Sequence, residues 1–92
     1  MTDPKRRLRL EQGLRAVASR RRLDILSFLK REHSAIVSDI AQAVHLSIYT
    51  TSQHLRILKA AGIVDYAQRG RFVSYRLSLK QEEPLQSVIR ML

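Results

Sequence analysis

The sequence contains no cysteine. Within it, disulfides, thiolate metal sites and thiol redox chemistry are therefore excluded. Tryptophan is absent as well, and the aromatic residues are three Tyr and two Phe. Glycine and proline are scarce, at three and two, so each one marks a boundary. Acidic residues are outnumbered, eight against seventeen Lys and Arg, which leaves a formal net charge of +9. No stretch approaches the roughly 20 apolar residues that a membrane span requires. The charged opening Met1-Thr2-Asp3-Pro4-Lys5-Arg6-Arg7 leads into no apolar signal core. These absences predict a soluble cytoplasmic protein with no membrane partner.

What is present fits one small domain spanning 1–92. A chain this short buries a modest fraction of its surface, so pairing with a second copy is a plausible source of stability. The basic excess favours an anionic partner, and for a small basic domain nucleic acid is the commonest one. A basic solubilising surface is the bland alternative.

Asp3-Pro4 is a helix start, because Asp caps free amides and Pro tolerates the first helical position. Leu10, Leu14 and Val17 then recur at helical spacing. Ser19 is the expected cap of a second helix, with Leu23, Leu26 and Leu29 on one face, widened by Ile25 and Phe28. Lys30 to Ala35 is polar and predicts a loop. A third helix carries Ile36 or Val37, then Ile40, Ala41 and Val44, and stops near His45. Ser47 looks like the cap of a fourth helix, in which Thr51, Leu55 and Leu58 share a face and Gly62 marks the end.

The period then changes. Ile63 to Gln68 and Arg71 to Leu79 are rich in β-branched and aromatic residues, and Arg69-Gly70 between them signals a tight turn. Pro84 precedes Leu85, Val88, Ile89 and Leu92, a short amphipathic helix. The expected fold is mainly α with a β-hairpin wing, a winged helix-turn-helix of order α-α-α-α-β-β-α. The terminal helices, about 4–18 and 84–92, are the expected dimerisation elements. Their apolar residues Leu10, Leu14, Val17, Leu85, Val88, Ile89 and Leu92 are the expected interface.

Two short helices joined by a tight turn and followed by a basic hairpin point to duplex DNA, with the second helix in a major groove. If Thr51, Leu55 and Leu58 face inward, Tyr49, Ser52, Gln53 and Arg56 face outward, with Ser47, Ile48 and Thr50 at the amino end. Ser52, Gln53 and Arg56 can hydrogen-bond base edges; Gln suits adenine, and Arg suits guanine or a phosphate. Ile48 and Tyr49 can meet thymine methyls or sugars. A surface helix with scattered polar groups is the competing reading. At the hairpin tip, Arg69, Gly70 and Arg71 can reach phosphates or a minor groove, although solubility alone also favours Arg there. The run Ser19-Arg20-Arg21-Arg22 either touches the DNA backbone or forms a helix end with Arg22 held by a carboxylate.

No nucleophile–base pair, phosphate loop or carboxylate pair stands at catalytic spacing, so an enzyme is not expected. No cofactor is expected either. His33, His45 and His54 lack helical partners at i+3 or i+4, and no metal site is predicted. A winged helix used for protein association, with DNA binding lost, is the second function class; a polar, basic outward face argues against it.

At this point several motifs resemble one family. Leu14-Arg-Ala-Val-Ala-Ser-Arg-Arg-Arg22-Leu-Asp-Ile-Leu26 resembles the opening of ArsR-type (ArsR/SmtB) bacterial repressors. Asp39 to Ser47 looks like their first motif helix and turn, Thr50 to Val64 like the recognition helix and its exit, and Gly70 to Leu77 like the wing. The resemblance implies a two-fold dimer built from the first and last helices, binding imperfect inverted repeats in promoters and usually repressing. It also implies that relatives sensing soft metals carry two cysteines where this chain has Ile36 and Ser38. Others hold zinc on the last helix, where Leu85 to Leu92 offers no such ligand. The family's usual Pro after the first helix is Arg20 here. An inducer, whether organic ligand or partner protein, is not identified by these residues.

Overall fold

In the computed structural model, which describes residues 3–92, Asp3 opens the first helix as its sequence requires. Its carboxylate accepts from Lys5 N at 3.2 Å, and Pro4 occupies the first helical position. Met1 and Thr2 of the opening segment lie outside the described residues. Helix α1 covers Pro4–Val17. Ser19 then caps α2, Arg20–Glu32, its Oγ accepting from Arg22 N at 3.3 Å.

Helix α2 runs further than the sequence suggested. Lys30 and Arg31, assigned to a loop, form its last turn, where cations suit the helix dipole. Polar residues on the exposed side of a final turn are indistinguishable from loop residues by composition. Ala35, the end of the expected loop, instead begins a two-residue strand β1, Ala35–Ile36. So short a strand has no period to detect, and its partner lies forty residues on, with Ala35 opposite Tyr75.

Helix α3, Val37–Val44, buries Ile40, Ala41 and Val44. It ends at His45, which adopts the left-handed conformation (φ 59, ψ 44). Ser47 caps α4, Ile48–Ala60, and Thr51, Leu55 and Leu58 are fully buried along it. Gly62, at φ 75, closes the helix: its N–H reaches Lys59 O at 3.0 Å and Ile63 N reaches Leu58 O at 3.0 Å. That pair of bonds is a Schellman motif, and it needs the positive φ that glycine tolerates.

Strands β2, Val64–Arg69, and β3, Phe72–Leu77, pair antiparallel with Val64 opposite Leu77 and Arg69 opposite Phe72. The sheet order is β1-β3-β2. The turn is one residue later than expected, Gly70-Arg71 rather than Arg69-Gly70, and β3 stops at Leu77 rather than Leu79. Gly70 has φ 63, which places glycine at the first central position of a two-residue turn, as a II′ turn demands.

The last helix, α5, covers Leu85–Arg90 and is shorter than the expected 84–92. Glu83 holds its start: one carboxylate oxygen accepts from Ser87 N at 2.9 Å, the other from Ser87 Oγ at 2.6 Å. These bonds keep the Glu83 carboxyl below its usual pKa. Lys30 Nζ donates to Arg90 O at 3.1 Å, fixing the other end of α5 to α2. Where α5 crosses α1, Gly13 leaves room for Leu85; a Cβ there would lie 2.6 Å from Leu85 Cδ1.

One core joins these elements: Ile25, Leu26 and Leu29 of α2, Ile40 of α3, Leu55 and Leu58 of α4, and Ile63 and Val64 leading into β2. Full burial of each such side chain contributes about 1.5–3 kcal/mol. Because the inward stripe of α4 belongs to this core, the opposite side of α4 is fixed in direction.

Candidate nucleic-acid interface

The start of α4 is set by a reciprocal pair. Ser47 Oγ accepts from Thr50 N at 3.0 Å and donates to Thr50 Oγ1, also at 3.0 Å. Ser47 thus caps the helix, and the Thr50 hydroxyl holds the cap in place. Beyond them, Tyr49 is 73% exposed and Ile48 54%. Arg56 is exposed, and Ser52 and Gln53 are half-buried on the same outer side. Large apolar side chains at a solvent-facing helix start favour contact with another surface.

Arg69 and Arg71 stand exposed at the tip of the β2–β3 hairpin. Gln68 Nε2 donates to Gly70 O at 3.2 Å and shapes the tip, while the Arg71 guanidinium lies 5.4 Å from the Phe72 ring centre. Among the described residues, Arg56, Arg69 and Arg71 enter no ion pair. At the root of the hairpin, Lys59 lies 3.8 Å from Asp65 and 5.7 Å from the Tyr66 ring centre. Tyr66 in turn packs on Tyr75 at 5.7 Å between centroids. These contacts tie α4 to β2. Nothing in the sequence marked Lys59 or Asp65, since their pairing depends on the turn at Gly62.

The arginine run after Ser19 divides. Arg20 is exposed. Arg21 Nη1 donates to Val44 O at 3.4 Å, at the end of α3. Arg22 is held by carbonyls and not by the carboxylate considered above: Nε donates to Ala16 O at 2.6 Å and Nη2 to Arg15 O at 3.5 Å. Its Nη1 lies 3.4 Å from His54 Nδ1. The last turn of a helix leaves carbonyls short of partners. Here the guanidinium donates to Ala16 O and adds a second, longer bond to Arg15 O, which also accepts from Ala18 N at 3.3 Å. No sequence signal linked Arg22 to His54, which lies on another helix far along the chain.

Of the other histidines, His33 ends α2 and His45 ends α3. Among the described residues, no three His, Cys, Asp or Glu side chains gather as a metal site. No helix of the described residues is long and apolar enough to cross a membrane.

The terminal helices present a mixed surface. Leu10 and Leu14 on α1 are 40% and 42% exposed, and Leu8 is 66% exposed. Val17 points inward and is 7% exposed, within the core. Leu85, Val88, Ile89 and Leu92 are half-buried against that core, each with part of its surface outward.

Comparison with known proteins places this geometry. The sequence profile of a family described as "Bacterial regulatory protein, arsR family" matches residues 19–66. The HTH-type transcriptional repressor SmtB of Mycobacterium tuberculosis is 45% identical over 65 residues, 71% of this chain and 47% of that protein. The chain thus spans about half the length of that relative. Reduced HlyU from Vibrio cholerae superposes with a TM-score of 0.78 at 30% identity, covering 96% of this chain and 88% of that one. A homodimeric winged helix-turn-helix DNA-binding domain from Mycobacterium bovis, described as a possible ArsR-family transcriptional regulator, gives 0.78 at 29% identity, covering 99% and 80%.

Proposed function

Because the chain belongs to the arsR family of bacterial regulatory proteins, we propose that it binds an inverted-repeat operator in double-stranded DNA as a homodimer and represses transcription. The observation that carries this reading is the outward side of α4, with Ile48, Tyr49 and Arg56 exposed and Ser52 and Gln53 half-buried, together with an arginine-tipped hairpin. A major groove accepts one helix, and there Gln53 and Arg56 meet base edges while Ile48 and Tyr49 meet thymine methyls or sugars. Ser47 and Thr50 hold the helix start against the DNA backbone, and Ser52 supplies a further polar contact. Arg69 and Arg71, on either side of Gly70, bind phosphates or the neighbouring minor groove.

Dimerisation rests on Leu10 and Leu14 of α1 with the outward parts of Leu85, Val88, Ile89 and Leu92, and Val17 supports them from the core. A two-fold dimer presents two α4 helices to successive major grooves, which is why the operator is an inverted repeat. With Ile36 and Ser38 at the positions where soft-metal-sensing members of the family are expected to carry cysteines, this reading gives that thiolate site no part in release from DNA. The protein is cytoplasmic in this reading.

The test is recovery of bound fragments from sheared host DNA by the immobilised protein. The expected result is a small set of promoter fragments sharing one inverted repeat. Fragments without any common repeat contradict the proposal.

A further inference from the structure

Arg22, on α2, contacts both α1 and α4. On one side its guanidinium donates to Ala16 O and Arg15 O at the open end of α1; on the other it meets His54 Nδ1 on α4 at 3.4 Å. A guanidinium has donors only, so Nδ1 must accept. A hydrogen bond in this contact therefore assigns the imidazole its neutral form, with the proton on Nε2.

His54 follows Thr51 by three residues and precedes Leu58 by four, which puts it on the flank of the buried stripe. A bond at that flank acts on the rotation of α4 about its axis. We propose that Arg22 is a positioning residue for α4: within the direction set by the buried stripe, its contact with His54 limits the remaining rotation of the helix, steadies Tyr49, Gln53 and Arg56, and so tunes DNA affinity. The inference rests on the DNA-binding reading above for its function, but the contact itself does not.

The charges acting on His54 come from α2, Arg22 first and Arg21 second. α1 contributes the Ala16 and Arg15 carbonyls to the far side of the guanidinium, and α3 joins through Val44 O, which accepts from Arg21. Burial and these two cations lower the His54 pKa and keep the ring neutral at neutral pH. Protonation sets an imidazolium against a guanidinium with no acceptor between them, and the contact opens. Simple attraction to DNA has the opposite sign, because an added positive charge on α4 tightens phosphate binding. The direction of the pH dependence therefore separates positioning from plain electrostatics.

The experiment measures affinity by fluorescence anisotropy on the promoter duplex recovered as above, from pH 7.5 to 5.5 at constant ionic strength. Wild type should weaken about five- to tenfold on acidification, the scale of one lost hydrogen bond. His54→Gln, whose amide oxygen accepts from Arg22 and does not titrate, should retain the pH 7.5 affinity within about twofold and lose that pH dependence. His54→Leu should be weak at both ends of the range. Affinity that is flat or rises on acidification, or His54→Gln that follows the wild-type slope, overturns the proposal.

A second measurement needs no DNA and separates failure of this inference from failure of the binding reading. In proton–nitrogen NMR spectra of the free protein, the Arg22 Nε–H resonance should shift with the midpoint of the His54 ring. In His54→Gln that shift should be absent. An Arg22 resonance indifferent to His54 overturns the contact whether or not any duplex binds.

Discussion

Tyr49 and Thr51, two residues apart on α4, face opposite ways: Tyr49 is 73% exposed and Thr51 is fully buried. Two helical steps turn about 200°, so a single inward stripe leaves a defined outward side. The core contact at Thr51 and the free ring at Tyr49 are one fact about the orientation of the helix.

The inward side carries a flaw that can be measured. Thr51 Oγ1 is buried and, among the described residues, has no hydrogen-bond partner. Thr51→Val removes the orphaned hydroxyl at nearly constant shape and should stabilise the fold by about 1 kcal/mol. Urea unfolding reads this directly. A destabilised variant shows that the hydroxyl finds an acceptor in solution.

Leu14, 42% exposed on α1, should lie in the dimer contact. Leu14→Glu places a charge there and should give monomers in sedimentation equilibrium. Losing bivalent attachment should weaken operator binding by about a hundredfold. A variant that remains dimeric shows that the protomers pair through another surface.

Arg69 stands exposed at the tip of the β2–β3 hairpin. Arg69→Ala should weaken binding to cognate and unrelated duplexes alike and lower the salt slope by about one, as loss of a phosphate contact does. An unchanged slope means that the wing does not reach the backbone.

His54 also makes stability depend on pH. Its pKa is lowered in the folded state, by burial first and then by Arg22 and Arg21. The unfolded chain, with an ordinary His near about 6.5, then binds more protons than the fold does. The His54 contribution should be complete above that value and be lost as pH falls below it. Comparing unfolding midpoints of wild type and His54→Gln at pH 7.5 and 5.5 isolates it; equal losses in both contradict the assignment.

The helical part of the fold was legible because local signals agree with tertiary demand. Asp3, Ser19 and Ser47 each cap the helix their positions announced, and Thr51, Leu55 and Leu58 fall on the buried face. Strand β1 was not legible, since Ala35–Ile36 gains its identity only from β3. The turn shifted by one residue because strand composition does not reveal which central position glycine takes. The outward side of α4 could be drawn from helical period alone. The Arg22–His54 contact could not, because it exists only once α1, α2 and α4 have packed.

The central claim is that the outer side of α4 reads base edges, with Gln53 at its middle. Binding-site selection from a randomised duplex library, run with wild type and Gln53→Ala in parallel, tests it most directly. The predicted result is a wild-type inverted repeat in which the variant loses its preference at one position per half-site and keeps the rest. Identical selected sequences for both proteins would contradict the claim.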